Sequence, residues 1–327
     1  MFTAVTSSDA LLPVMNSEKM KFVCDMVRQV ANTDATVLIT GETGTGKELV
    51  AKAIHNLSGR HSSPLAIIEL SNIKHDHFET ELFGFRKGAF TGSIETKPGL
   101  IECAKNGTVF LDEISELSLE NQGKLLRMLE SGEVRRLGEL HVQHLASRFV
   151  IATNRNLFDM VYGNPRTFRE DLYHRLNVFN IYIPPLRERP EDILPLAEYF
   201  LAWFSKKFDI CGIGFSREYI QALLDYDWPG NVRELRNVIE GSVILCRNDK
   251  TINKILLPKR QKCEPREDPA PTEEIAGPVN LEEAVDKTKK TLIIKVLEET
   301  KWNRSKARVL LGVSYKNLLL LMKKYDL

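Results

Sequence analysis

Long apolar runs are missing from this 327-residue chain. Nothing approaches the roughly 18 residues that a membrane-spanning helix needs, so no membrane partner is expected. Residues 1–13 have neither a basic flank nor a sustained apolar segment, which argues against a secretory signal and makes the cytoplasm the expected compartment. Cysteine is sparse. Cys24, Cys103, Cys211, Cys246 and Cys263 are scattered without metal-ligand spacing and read as reduced thiols. Net charge is nearly absent, at +1, which excludes a nucleic-acid polycation for the chain as a whole. The balance is uneven, however. Between residues 281 and 327 eleven Lys and Arg stand against six Asp and Glu. That is the sign expected of a DNA-binding module, and also of a plain solvated helical surface.

What is present is an alternation of short apolar runs and amphipathic stretches between residues 36 and 183. Residues 37–39, 65–70, 108–111, 148–152 and 177–183 read as buried strands. Residues 48–57 read as a helix with Val50, Ala53, Ile54 and Leu57 on one face. Strands alternating with helices imply an α/β layer on a parallel sheet. Pro184 and Pro185 end it, and residues 188–257 read as helical, with a sharp turn at Trp228-Pro229-Gly230-Asn231. Residues 258–279 hold five prolines and few large apolar side chains and read as a linker. Residues 280–327 read as a compact helical unit. The expected division is 1–186, an α/β part; 187–257, an all-α part; 258–279, a linker; and 280–327, a small helical domain.

Gly41-Glu42-Thr43-Gly44-Thr45-Gly46-Lys47 follows a strand and opens a helix, the context of a phosphate-binding loop. Its glycines let backbone N–H groups turn toward phosphates, the helix N-terminus adds positive dipole, and Lys47 can neutralise the β and γ phosphates. The usual Ser or Thr after the lysine is replaced by Glu48. A second signal is Asp112-Glu113, delivered by an apolar strand at its C-terminal end, where ligands of parallel sheets sit. Asp112 can hold Mg²⁺ and Glu113 can polarise an attacking water. Asn154, after the next strand, is placed to orient that water or sense the γ-phosphate. The plainer alternatives are a structural glycine turn and an Asp-Glu helix cap.

With these residues the chain resembles one family. Gly41 to Glu48, Glu81-Leu82-Phe83-Gly84, Gly88-Ala89-Phe90-Thr91-Gly92-Ser93, Phe168 to Leu176 and Trp228 to Leu235 look like the AAA+ domain of sigma-54-dependent activators, the bacterial enhancer-binding proteins. The resemblance covers nearly the whole chain. It implies a P-loop domain that hydrolyses ATP with Mg²⁺ and acts on sigma-54 RNA polymerase holoenzyme. Glu48 after the lysine is normal for that family. Arg169 and Arg175 match its arginine fingers, which reach into a neighbouring subunit's site and imply a homo-oligomer, usually a hexameric ring. Arg233 matches the second sensor of the lid. Surface salt bridges are the alternative for all three arginines.

Gly88, Ala89, Phe90, Thr91, Gly92 and Ser93 match the loop that contacts sigma-54, and Gly132 to Arg148 match a second pore-side loop. A tight turn with Phe90 tucked into the core is the other reading of the first loop. Two departures stand out. Ser93 replaces the family's alanine. Glu69 replaces an asparagine that holds the catalytic glutamate, and a carboxylate there is expected to repel Glu113 unless an Arg or Lys intervenes.

Residues 303–318 read as a helix-turn-helix. Asn303 caps the first helix, Gly312 ends it and Ser314 caps the second. Ala307, Leu310, Leu311, Val313, Leu318 and Leu321 are the expected core. Ser314, Tyr315, Lys316 and Asn317 are the candidates for contact with double-stranded DNA at upstream enhancer sites, with Asn317 able to read adenine. The unit resembles the Fis-like domain of the same family; an oligomerising helical hairpin is the alternative. The phosphate loop begins at residue 41, which leaves no room for a receiver or sensor domain, so constitutive activity or a separate regulatory protein is expected. Two functions of other classes compete: another AAA+ remodelling ATPase, and a DNA-binding regulator with an inactive ATPase.

Overall fold

The computed structural model describes residues 16–91, 93–210, 212–246, 251–252, 281–300 and 302–325. The expected linker and Gly92 lie outside them. The chain divides into two compact units, Met1–Leu257 and Pro258–Leu327.

The first unit is built on five parallel strands: β1 (Val37–Thr40), β2 (Leu65–Glu69), β3 (Thr108–Asp112), β4 (Arg148–Thr153) and β5 (Phe179–Tyr182), in the order β2-β3-β4-β1-β5. Side chains alternate across the sheet, as the pleat requires. Leu38, Val109, Leu111 and Ile151 face one core, against α3 (Leu119–Ser131) and α4 (Glu170–Leu176). Val37, Ile39, Phe110, Val150 and Ala152 face the other, against α1 (Glu18–Ala31) and α2 (Lys47–Leu57). Both faces are covered, so β1, β3 and β4 read as continuous apolar runs, the mark of a doubly covered parallel sheet. Ser17 caps α1 by accepting from the Met20 N–H, and Ser118 caps α3 in the same way from Asn121.

Register places the functional ends together. Thr40 pairs with Thr153, Leu111 with Ile151 and Glu69 with Asp112. The end of β3 is thus separated by a single strand, β4, from the loop that follows β1.

The lid consists of α5 (Ile193–Phe208), α6 (Arg217–Leu224) and α7 (Asn231–Leu245) around a core that includes Ile193, Phe204, Tyr219, Trp228, Leu235 and Ile239. One correction belongs here. The lid is not wholly helical, because Gly214–Phe215 pairs in parallel with Thr251–Ile252. Two-residue strands carry no periodicity by which a sequence could announce them.

The second unit holds α8 (Leu281–Glu299), α9 (Arg304–Leu310) and α10 (Tyr315–Lys324). Asn303 accepts the Lys306 N–H, Gly312 takes φ +64°, and Ser314 accepts the Asn317 N–H. These are the caps and the turn that the sequence implied. The core is Ile293, Leu297, Ala307, Leu318, Met322 and Tyr325, with Leu311, Val313 and Leu321 packed on it. Leu310 is a second correction. It is 65% exposed and stands at the last position of the seven-residue α9, where the chain turns toward Gly312. Among the described residues no helix is long and apolar enough to cross a membrane.

Candidate functional site

The loop after β1 wraps the first turn of α2. Gly44 sits at φ +81°, and a Cβ there would lie 2.3 Å from the Gly230 carbonyl oxygen, so glycine is required twice over. Gly46 caps α2 in the left-handed region. Lys47 is 7% exposed, and its Nζ donates to the Gly41 carbonyl at 3.1 Å and stands 3.7 Å from Glu113 Oε1.

Glu113 occupies φ +56°, a left-handed conformation that costs a non-glycine residue about 1–3 kcal/mol and that clusters at functional sites. The turn aims its carboxylate back at the loop: Oε2 accepts the Asn154 N–H at 3.2 Å. Asn154 in turn donates from Nδ2 to Thr43 Oγ1 at 2.9 Å, so one residue ties Glu113 to the phosphate loop. Asp112 Oδ1 accepts the Glu113 N–H at 3.0 Å. Burial pushes the Glu113 carboxyl up from the ordinary value, against the pull of Lys47 and the Asn154 N–H. Burial also raises Asp112, again against Lys47, with Glu69 and Glu48 adding to the rise. Two half-buried carboxylates facing one lysine leave a net negative site, which suits a divalent cation.

Glu69 requires a third correction. It stands in register with Asp112 and not against Glu113. Its carboxylate is turned to Asn72 Nδ2 at 2.7 Å and Ser71 Oγ at 3.3 Å, so the expected clash with Glu113 is replaced by a milder effect on Asp112.

The lid meets this loop directly. Asn231 is fully buried at φ +54°. Its Oδ1 accepts the Leu186 N–H at 2.7 Å, and its Nδ2 donates to the Thr43 carbonyl and to Glu42 Oε2, each at 3.1 Å. Arg187 grips Glu42 through two bonds, one of 2.8 Å. The Arg233 N–H donates to the Gly44 carbonyl at 3.3 Å. Arg189, 3% exposed, donates to the Thr45 carbonyl at 3.2 Å and lies 3.9 Å from the buried Asp192. Asn231, Arg187, Arg189 and Asp192 were not among the sequence candidates. The signal for them was two arginines before Pro190 and the Trp-Pro-Gly-Asn turn. Arg233 reaches the loop by its backbone, and its side chain is exposed. A cavity of about 340 Å³ opens beside the loop over Thr40, Asn154, Asn180 and Tyr182.

Arg169 and Arg175 are exposed on the α4 side. Arg169 pairs with Asp171 at 2.7 Å, and Arg175 donates to the Leu129 carbonyl at 2.7 Å. Among the described residues neither guanidinium contacts Lys47, Asp112 or Glu113.

The loop from Gly88 rises from an antiparallel pair, Gly84–Phe85 with Lys97–Pro98. Gly88 N–H donates to the Ser93 carbonyl at 2.9 Å, and the buried Ser93 hydroxyl both donates to the Phe90 carbonyl at 2.7 Å and accepts the Phe90 N–H at 3.1 Å. Thr91 is exposed, and Phe90 is 43% exposed with one edge on the Phe85 ring, so it is not tucked into the core. The second loop carries its own hairpin, Glu133–Val134 with Gln143–His144. It joins the first through Leu137, which exchanges backbone bonds with Gly84 and Arg86 at 2.9 Å each. In the second unit, Ser314, Tyr315, Lys316 and Asn317 are all exposed on the first turn of α10.

This fold and this site define an AAA+ P-loop protein with an attached helix-turn-helix. A family model described as Sigma-54 interaction domain matches residues 14–182, one described as AAA+ ATPase lid domain matches 187–274, and one described as Bacterial regulatory protein, Fis family, matches 287–325. The chain belongs to the sigma-54 interaction domain family. The nitrogen fixation protein VnfA of Azotobacter vinelandii is 42% identical over 95% of this chain and 58% of its own length. The DNA-binding transcriptional activator HyfR of Escherichia coli is 48% identical over 72% of this chain and 35% of its own length. The regulatory protein AtoC of the same organism is 39% identical over 95% and 67%. The chain thus spans 35% to 67% of the length of these relatives. Crystal structures of NtrX from Brucella abortus in complex with ADP and with ATP match with a TM-score of 0.69, at 30% and 31% identity, over 98% of this chain and 71% of that one.

Proposed function

We propose that the chain is a sigma-54-dependent transcriptional activator that hydrolyses ATP and spends the energy on opening promoters. The observation that carries the reading is the coincidence of the sigma-54 interaction match over residues 14–182 with a site in which Lys47, Asp112, Glu113 and Asn154 converge. The phosphate loop fits a nucleotide. The N–H groups of Thr43, Gly44, Gly46 and Lys47 have no hydrogen-bond partner among the described residues, and together with Lys47 Nζ they suit a triphosphate.

In the hydrolysis, Gly41 to Lys47 hold the phosphates and Arg233 closes over them from the lid. Asp112, with Glu48 nearby, would hold magnesium, which supplies neutralisation of the developing phosphate charge. Glu113 accepts hydrogen bonding from the attacking water and takes its proton as the water oxygen bonds to the γ-phosphorus. The bond to the β-phosphate oxygen breaks, leaving ADP and phosphate. Asn154 keeps Glu113 aimed. Arg169 and Arg175 serve the site of a neighbouring subunit in a hexameric ring, which fits their exposure and their lack of a role in their own site.

Gly88 to Ser93 form the sigma-54 contact. A half-exposed Phe90 on a loop tip finds its use in a partner. Tyr315, Lys316 and Asn317 contact DNA at an upstream enhancer, and a separate protein regulates the activator in the cytoplasm. The deciding experiment is in vitro transcription from a sigma-54 promoter with the purified chain, with and without ATP. Open complexes that form only with both chain and ATP bear the proposal out; no opening by a folded, ATP-hydrolysing preparation removes it.

A further inference from the structure

Six consecutive residues of the phosphate loop have carbonyl groups that must go somewhere. The Gly41 and Glu42 carbonyls accept from Lys47 Nζ, Glu42 also accepts from the Thr45 hydroxyl, and the Gly46 carbonyl accepts from the first turn of α2. The three between them are all taken by the lid, in order. The Thr43 carbonyl accepts from Asn231 Nδ2 at 3.1 Å, the Gly44 carbonyl from the Arg233 N–H at 3.3 Å, and the Thr45 carbonyl from Arg189 Nη2 at 3.2 Å. The peptides of the Thr43 and Thr45 carbonyls carry on their opposite edge the unpartnered N–H groups of Gly44 and Gly46, while the peptide of the Gly44 carbonyl carries the Thr45 N–H, which donates to the Glu42 carbonyl at 3.4 Å. Rotating the plane of the Thr43 or the Thr45 carbonyl would break a bond to the lid and swing a free N–H away from its target, and rotating the plane of the Gly44 carbonyl would also break the Thr45–Glu42 bond that shapes the turn, because each plane is rigid.

We propose that the lid sets the phosphate cradle from behind: Asn231, the Arg233 backbone and Arg189 act as positioning groups that hold three successive carbonyls and so aim the loop's N–H groups at a nucleotide's phosphates. This rests on the nucleotide-binding reading above. The chemistry of the two side chains points the same way. Asn231 holds a left-handed conformation in full burial, which asparagine tolerates better than most residues. Arg189 is buried with an unpartnered Nε, an expensive way to fasten two subdomains, and replacement by an apolar side chain would be the cheaper structural choice. A guanidinium retained there is explained by its target, the Thr45 carbonyl, and by Asp192, which is itself fixed by the Asn16 and Ser17 N–H groups and the Ser17 hydroxyl. The lid therefore does more than cover the nucleotide with Arg233. It shapes the cradle even before contact.

The test uses the full chain and a fluorescent N-methylanthraniloyl ADP as probe. Asn231→Gly keeps the left-handed backbone and removes the amide. It should raise the Kd for the probe and the KM for ATP by about tenfold or more, the effect of one to two lost hydrogen bonds, with kcat within about threefold; the melting temperature without nucleotide should fall, because the Leu186 N–H loses its acceptor, so Kd is read on the folded fraction. Arg189→Lys keeps a donor and a charge opposite Asp192 and should bind near the parent level. Arg189→Met, paired with Asp192→Asn so that no carboxylate is stranded, should weaken binding as Asn231→Gly does. A merely structural role would lower the melting temperature and leave the Kd of the folded fraction unchanged; that pattern, or parent-like Kd in both variants, overturns the clamp. Should Asn231→Gly not fold, the Arg189 set decides on the same criterion. A folded parent that binds no probe, with Lys47→Ala indistinguishable from it, is instead the failure of the proposed function.

Discussion

Replacing Glu113 by Gln separates binding from chemistry and also reports on the electrostatics of the site. The carboxyl stands 3.7 Å from Lys47 Nζ and accepts the Asn154 N–H at 3.2 Å. An amide of the same size keeps an oxygen for Asn154 but cannot take a proton from water. General-base catalysis contributes roughly 10²–10⁴ in rate, so kcat for ATP should fall by about that factor. KM should stay within about threefold, because Lys47 and the loop N–H groups are untouched. Stability carries a second signature. The Glu113 carboxyl is raised above its ordinary value of 4.5 by burial, so between 4.5 and the raised value the folded state binds more protons than the unfolded one, and its ionisation works against folding as pH rises through that window. Gln removes that penalty. The variant should melt above the parent at neutral pH, and the gap should close as pH falls through the raised value toward 4.5. Malachite-green phosphate release and circular-dichroism melts between pH 5 and pH 8 read both effects. Turnover near the parent's would refute the role of Glu113, and a melting gap that widens on acidification would refute the account of its burial.

Thr91→Ala removes one hydroxyl and one methyl from an exposed tip. ATP hydrolysis and DNA binding should persist while promoter opening fails, and paired assays on one preparation that show full opening, or joint loss of both activities, would reject the sigma-54 contact. Mixing inactive Arg169→Ala or Arg175→Ala subunits with inactive Glu113→Gln subunits should restore measurable hydrolysis, since fingers in related phosphoryl transfers are worth about 10³–10⁵ in rate; no rescue in rings shown to be mixed speaks against action between subunits. Truncation after Leu257 should leave an ATPase without site-specific DNA affinity, read by gel shift against an enhancer fragment, and retained specificity would move the DNA site out of the helix-turn-helix. Ser93→Ala deletes both hydroxyl bonds to Phe90, so hydrogen exchange at the Phe90 amide should accelerate by about tenfold, the value of one net hydrogen bond; unchanged exchange would show that the loop closes without Ser93.

The sheet and the phosphate loop were legible in the sequence because their signals are local. β1, β3 and β4 are runs of apolar residues bounded by turns, and Lys47 lies six residues from Gly41 on one glycine-rich turn. The helix-turn-helix was legible through its caps, Asn303, Gly312 and Ser314. What escaped depends on partners far away in the chain. Asn231 meets the Thr43 carbonyl across 188 residues and Arg189 meets Thr45 across 144, and neither pairing leaves a periodic trace. Glu69 was placed at the right strand end, but which neighbour it faces is decided by strand register and by Ser71 and Asn72 on the following turn. Leu310 reads as core from its apolarity and its i+3 spacing from Ala307, but it is the last residue of its helix and is 65% exposed.

The Gly44–Gly230 approach has a consequence for inheritance. Arg233 meets Gly44 through its main chain, so no replacement at 233 other than proline can remove that bond, and an alanine scan would pass over it. The glycine at 44 answers to the Gly230 carbonyl oxygen, which a Cβ would meet at 2.3 Å, as well as to its own φ of +81°. Residues 41–47 and 228–233 therefore form one unit of variation despite their distance in the gene. A recombinant that takes its α/β part from one homologue and its lid from another keeps this contact only if glycine stands at 44 and a residue with a backbone N–H at 233.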